Sequence, residues 1–439
     1  MPALISLLWY KPMDIHVVRQ GETLYSISTQ YNIPMSRLIS DNMLPDPSRL
    51  VIGQTLVIRY PRQTHTVRPA ETLLSIAQQY DISIRQLQRN NPVLEGGTQV
   101  YPGQTLVILY EDSPEIPLRV NGYAYPFIDR SLFRRTLPYL TYVTPFTYGI
   151  TQDGDLIVPD DDWMISTAYE NGVAPLMHLS TLTEEGGFSN ELAHLVLTDI
   201  QIQNSLIQNI LATLDSKKYH GLDIDFEYVF PEDGPSYAAF IQRLTDTLNP
   251  LGYLVIAALA PKISAQQRGL LYEAHDYAAI GAAANEVLLM TYEWGYAYSL
   301  PMAVAPIPNV RRVIEYALTE IPAEKIWLGI PNYGYDWPLP VVQGQTRATS
   351  ISNQYAISLA GRYGAAIQYD EISQSPWFRY RDERGQEHEV WFEDARSIQA
   401  KLKLIQEYGL NGAGYWNLMR PFPQNWVVLQ SMFLIQDSN

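Results

Sequence analysis

Eight short apolar runs lie between residue 118 and the end of the chain, at 120–123, 142–146, 174–179, 221–227, 254–258, 286–290, 326–330 and 413–416. Runs this short suit strands buried on both faces. The segments 192–214, 237–248 and 311–318 carry apolar residues at helical spacing. Strand and helix alternating in this way predict an α/β fold closed into a (β/α)8 barrel. The interval between the seventh and eighth runs is too long for one βα unit, which predicts an insertion over about 338–393. In such barrels chemistry collects at the C-terminal ends of the strands. The fourth run ends at Glu227.

That fourth run carries the strongest chemical signal. It reads Gly221-Leu222-Asp223-Ile224-Asp225-Phe226-Glu227, followed by Tyr228 and Val229. On a strand, Asp223, Asp225 and Glu227 share one face, and Leu222, Ile224, Phe226 and Tyr228 the other. Acids this close cannot all ionise easily, so at least one pKa should rise. A carboxylic acid kept protonated beside an ionised carboxylate is what glycoside cleavage needs. The residues alone also allow a solvated strand face, or a hard-cation site built from the three carboxylates. His178, in the third run, reads as a packed core histidine and is left out of the site.

The front of the chain is a repeat. Residues 16–29 (HVVRQGETLYSIST) match 65–78 (HTVRPAETLLSIAQ), and 51–58 (VIGQTLVI) matches 100–108 (VYPGQTLVI) with one inserted residue. A period this close to 50 residues means two copies of one small unit. The first copy predicts a strand at 16–18 and a helix with Leu24, Ile27 and Tyr31 on its apolar face. A turn at Pro34, a short helix ending near Asn42 and a closing strand at 55–58 follow. The β-α-α-β order over 15–60 and 64–110 resembles the LysM module. That resemblance implies binding of N-acetylglucosamine-containing glycans between loops 21–24 and 45–51, and again between 70–73 and 91–100. The implied contact residues are Gly21, Glu22, Thr23 and Leu24 in one copy, and Glu71, Thr72 and Leu73 in the other. Ala70 replaces Gly21, which weakens the second loop if it needs positive φ. The pattern alone also fits a pair of structural or protein-binding units. Residues 111–118, with two prolines and three acids, read as a semi-extended hinge.

Composition narrows the partners. The chain has 439 residues, a formal net charge of -16 and no cysteine. The charge argues against nucleic acid and anionic membranes. Without cysteine there is no disulfide framework and no thiolate metal site. The apolar run at 4–9 is too short to span a membrane, and neither a basic region nor a small-residue cleavage site flanks it. Residues 1–14 therefore read as an extension without a conventional secretion signal. Tyrosine is abundant, 31 residues against 11 Phe, and amphipathic rings suit sugar faces.

Three segments carry a second resemblance. The run 221–228 (GLDIDFEY) is similar to the D-x-x-D-x-D-x-E signature of glycoside hydrolase family 18. Residues 290–296 (MTYEWGY) resemble that family's M-x-Y-D, and 414–418 (GYWNL) its eighth-strand segment. The resemblance implies a TIM (β/α)8 barrel over 119–439 and a retaining, substrate-assisted mechanism. In it Glu227 is the acid, Asp225 orients the acetamido group, Asp223 supports Asp225 and Tyr292 binds the acetamido carbonyl. Trp416 floors the sugar, while Glu293, Trp294 and Met290 line the site; no metal or cofactor is implied. Two positions depart from the pattern: His220 stands for the first Asp, and Glu293 for the sixth-strand Asp. Segments such as 258–262 (ALAPK) and 391–397 (WFEDARS), with the paired LysM units, look closest to spore cortex-lytic N-acetylglucosaminidases. The implied partner is peptidoglycan or cortex glycan, the implied location the spore coat, cortex or cell wall, and the implied state a monomer. A chitinase and a non-catalytic chitinase-like coat protein are the alternatives.

Overall fold

The structure, a computed structural model, describes residues 13–44, 46–112, 114–183 and 187–438. Eight parallel strands form the barrel: Pro117–Ala124, Tyr142–Pro145, Ala174–Ser180, Gly221–Asp225, Leu254–Leu259, Glu286–Leu289, Ile326–Pro331 and Gly412–Trp416. The eighth closes on the first in register, with Gly412 opposite Arg119 and Tyr415 opposite Gly122. Each strand coincides with one of the apolar runs. Their alternation is what divides the core. Leu222, Ile224, Val255, Ala257 and Leu259 point outward into the layer beneath the helices. Tyr142, Leu176, Ile256, Leu288 and Trp327 fill the barrel itself.

Three local expectations change. The segment 192–214 is two helices, Asn190–Thr198 and Ile200–Lys217. Asp199 divides them because its side chain accepts the Gln201 N–H at 2.7 Å and so caps the second helix. The fourth strand stops at Asp225, and Tyr228 turns away in left-handed backbone (φ 56), leaving the apolar face where the alternation put it. The insertion begins at Gly334 rather than Pro338. It is a five-stranded antiparallel sheet (Gly334–Pro338, Thr349–Ile351, Gln368–Asp370, Ser375–Arg381 and Glu387–Trp391) with one helix, Asn353–Tyr363.

Each repeat folds as a β-α-α-β unit. The first comprises Asp14–Val17, Leu24–Tyr31, Met35–Asn42 and Thr55–Ile58. The second comprises Pro61–Thr66, Leu73–Tyr80, Ile84–Asn90 and Thr105–Tyr110. Asp14 begins a strand and Met13 packs on the barrel core, so the extension is shorter than 1–14; residues 1–12 lie outside those described. The repeated sequence is a repeated bond set. His16 contacts Glu22 at 2.9 Å and Tyr31 at 3.1 Å; His65 contacts Glu71 at 2.7 Å and Tyr80 at 3.0 Å.

Both units are joined to the barrel. Gln424 donates to Asn42 Oδ1 at 3.0 Å and to Thr55 O at 2.6 Å, and Gln430 donates to Arg89 O at 2.9 Å. The segment read as a hinge is anchored: Asp112 is buried and accepts two bonds from Arg59, at 2.9 and 2.5 Å. Ser113 lies outside the described residues.

Ala70 takes the backbone of its counterpart, with φ 69 against 83 at Gly21. A Cβ in this region is strained, and glycine relieves it at some entropic cost. Ala70→Gly is expected to stabilise the protein by about 0.5–1 kcal/mol in denaturant titration. A loss of stability contradicts this account of the loop.

Candidate active site

The site is built where strand alternation forces acids into the barrel mouth. Asp223 and Asp225 point inward from the fourth strand, and both are buried. Asp223 pairs in register with His178 on the third strand, and Asp225 with Ser180. Asp223 Oδ2 accepts the Tyr123 hydroxyl at 2.7 Å, while its Oδ1 has no protein partner. Burial, helped by Asp225, pushes the Asp223 carboxyl up to about 6 despite the opposing His178 and Tyr123. Asp225 Oδ1 is likewise buried without a protein partner. Its Oδ2 lies 3.6 Å from His178 Nε2.

Glu227 stands two residues further, half-buried at the rim. Desolvation, reinforced by the Asp225 and Glu293 carboxylates, pushes it up to about 8. A group in this state holds its proton at neutral pH and can give it away. Tyr292 follows the sixth strand with its phenol held well above the usual range, by burial and then by the charges of Asp225 and Glu227. Gly329 of the seventh strand makes room for it: a Cβ there would lie 2.9 Å from Tyr292 Cε1.

Trp416 ends the eighth strand, partly buried, with Phe146 at 4.9 Å and Tyr123 at 5.9 Å between ring centroids. Tyr125 lies 6.2 Å from it and stacks on Phe127 at 5.2 Å. These rings come from the ends of the first, second and eighth strands. Glu293 has left-handed backbone (φ 64), and its carboxylate accepts the Tyr333 hydroxyl and, at 3.1 Å, that of Tyr335. Trp294 and Met290 are partly buried and fixed through their backbones, Trp294 N–H to Val304 O and Met290 N–H to Leu259 O, both at 3.0 Å.

His220 is not with them. It precedes the fourth strand, at the end of the barrel opposite Glu227, with its ring 5.7 Å from Tyr142. Among the described residues, no three His, Asp or Glu side chains converge as metal ligands.

The LysM contact residues divide as well. Leu24 and Leu73 are buried in their unit cores. Thr23 and Thr72 cap helices in reciprocal bonds with Ser26 and Ser75. Glu22 and Glu71 each accept a backbone N–H at 2.7 Å as well as their histidine. These six side chains make the bonds and contacts that hold each unit's first helix, and Gly21 takes the positive-φ turn before it.

Sequence reasoning missed four contributors. His178 was read as plain core, yet it faces Asp225 and is held by Thr147 at 2.6 Å. Tyr123 was read only as a strand residue. His275 and Tyr237 clamp the peptide between the acids: Phe226 N–H meets Tyr237 Oη at 3.4 Å, and His275 Nε2 meets Phe226 O at 3.2 Å. His275 Nδ1 accepts the Ala260 N–H at 3.1 Å, so the Nε2–H tautomer is the one that satisfies both contacts. Burial depresses its pKa to about 4, which keeps it neutral. No periodicity marks a histidine at position 275, because its role depends on two distant strands meeting.

His275→Ala leaves two buried backbone groups unpaired, at about 1–3 kcal/mol each. The expected result is a lower unfolding midpoint together with a reduced kcat; an unchanged kcat contradicts the clamp. Stability should also depend on pH through Glu227. Its folded pKa lies above its unfolded value of 4.5, so the native state binds the extra proton and stability falls as pH rises from about 4.5 to 8. In Glu227→Gln that part of the fall should vanish in thermal melts across the window.

Comparisons with known proteins place the chain in a family. The profile described as "Glycosyl hydrolases family 18" matches residues 176–420, and that of the LysM domain matches 16–59 and 65–109. The "Cortical fragment-lytic enzyme" of Bacillus subtilis (strain 168) is 43% identical over 427 residues, covering 96% of this chain and 98% of the relative. The solved Bacillus megaterium QM B1551 spore cortex-lytic enzyme SleL superposes with a TM-score of 0.83 at 40% identity, covering 97% of this chain and 99% of that one. A chitinase from Chromobacterium violaceum ATCC 12472 superposes with a TM-score of 0.66 at 27% identity, covering 72% of this chain and 98% of that one. With eight parallel strands, an acidic fourth strand and an end-to-end match to such relatives, the chain belongs to glycosyl hydrolases family 18 and is a glycoside hydrolase carrying two LysM domains.

Proposed function

We propose that the protein cleaves spore-cortex peptidoglycan at the β-1,4 bond after N-acetylglucosamine. The observation that carries this reading is Glu227, held protonated beside a buried Asp225 whose Oδ1 is free to accept. Glu227 protonates the glycosidic oxygen as the C1–O bond breaks. The substrate's own acetamido oxygen attacks C1, giving an oxazolinium ion with the configuration set for retention. Asp225 accepts the acetamido N–H, and Asp223, bonded to Tyr123, lies behind it. Tyr292 donates to the acetamido carbonyl and Trp416 stacks under the ring. Water then adds at C1, and the Glu227 carboxylate recovers its proton from that water.

The cortex enters through the relatives, which are named as cortical fragment-lytic and spore cortex-lytic enzymes. The LysM domains support a peptidoglycan partner and a place at the spore cortex or cell wall. No helix among the described residues is long and apolar enough to cross a membrane. A protein of net charge -16 meets an anionic wall through stacking and hydrogen bonds, so binding should survive moderate salt. The proposal takes the protein as a monomer.

Product analysis by mass spectrometry tests the reading, with cortex fragments and chitin oligomers offered separately. Release of muropeptides with N-acetylglucosamine at the reducing end is expected, lost by about 10²–10⁴-fold in Glu227→Gln. Cleavage of chitin oligomers alone identifies a chitinase, and binding without turnover of either a lectin. The rate should also fall tenfold per pH unit above about 8, where Glu227 loses its proton.

A further inference from the structure

The two LysM domains share a fold but not their surroundings. In each, the turn before the closing strand carries the same side-chain bond: Val51 N–H to the Gln54 side-chain oxygen, and Tyr101 N–H to that of Gln104, both at 3.1 Å. Val51 and Tyr101 are therefore equivalent positions. Val51 is buried in the core of the insertion, with Ile351, Leu359 and Ile367. Beside it, Arg49 donates to Gly361 O at 2.8 Å, and the Ile367 N–H donates to Ile52 O at 2.9 Å. Gly53 is seated so closely that a Cβ would lie 2.0 Å from Ile367 O.

At Gly103 the same added atom meets nothing within 4 Å. Tyr101 is 60% exposed and Val93 56% exposed. The second domain touches the barrel elsewhere, through Gly96 against the Arg134 backbone. Its turn borders an open cavity of about 700 Å³ lined by Val93, Glu95, Thr98, Gln99, Tyr101 and Gln104.

We propose that the two domains divide the work: the first is a fixed strut against the catalytic insertion, and the second holds the glycan on the turn that carries Tyr101. This rests on the reading that a β-1,4-linked N-acetylhexosamine polymer is the substrate. The cavity's chemistry selects that occupant. It offers one exposed ring for a sugar face, with amide and hydroxyl groups beside it. It has no cation for a nucleic acid or an anionic lipid, and its one charge is Glu95. Since Arg85 and Gln430 tie the second domain to the barrel, its grip on the polymer is held at a fixed place relative to the active site.

The rival site is a cavity of about 340 Å³ between the first domain and the insertion helix, bordered by Asp46, Arg49, Gln354 and Ser358. The test measures depletion from solution onto purified peptidoglycan sacculi, in a Glu227→Gln background to stop turnover. Tyr101→Ala is expected to weaken binding about tenfold. Tyr101→Phe, which keeps the ring, should bind like its parent. Ser358→Trp, which fills the rival cavity, should also bind like its parent. Undiminished binding by Tyr101→Ala overturns the proposal, and so does loss of binding by Ser358→Trp. Turnover of cortex fragments by the wild-type protein judges the substrate separately. Absent turnover removes the substrate reading; turnover with Tyr101-independent binding removes only this inference.

Discussion

Two buried aspartates inside a parallel barrel, with a third acid at its rim, set the terms for the rest of the catalytic domain. Carboxylates taken out of water without cationic partners are costly unless they are bonded or protonated. The fold supplies Tyr123 and His178 from neighbouring strands, and it leaves one oxygen of each aspartate unpaired by protein. The same desolvation, with Asp225 and Glu293 nearby, keeps the proton on Glu227.

The barrel was legible because its signal is periodic. Eight apolar runs needed no partner to be recognised, and period-2 alternation placed Asp223 and Asp225 on the inner face. What escaped was non-local. His178 carries no sign in its own run that it faces Asp225, and His275 lies far in sequence from the peptide it holds. Capping also hid a boundary: Asp199 has the residue type of an N-cap, yet the helical period continues across it. Tyr228 failed the alternation because the strand had already ended. The motif resemblance brought Glu227, Asp225 and Tyr292 to attention, while His220, placed by the same motif, lies at the far end of the barrel.

The LysM units show how two copies of one sequence come to differ. The shared residues Glu22, Thr23 and Leu24, with Glu71, Thr72 and Leu73, make the same bonds and core contacts in both units. The positions that differ, Val51 against Tyr101, are where the two copies acquire different surroundings. The Pro-rich acidic segment after the second unit is likewise tied down at its start, where Asp112 meets Arg59. Bonds from Gln424 and Gln430 hold both units against the barrel.

The most direct test of the central claim is a spectroscopic titration of the Glu227 carboxyl, by carbon NMR on side-chain-labelled protein, in the wild type and in Glu293→Gln. The account predicts a resonance that titrates near 8, is absent from Glu227→Gln, and moves lower when the neighbouring charge is removed. Titration near 4.5 in the wild type, or no response to Glu293→Gln, would contradict it.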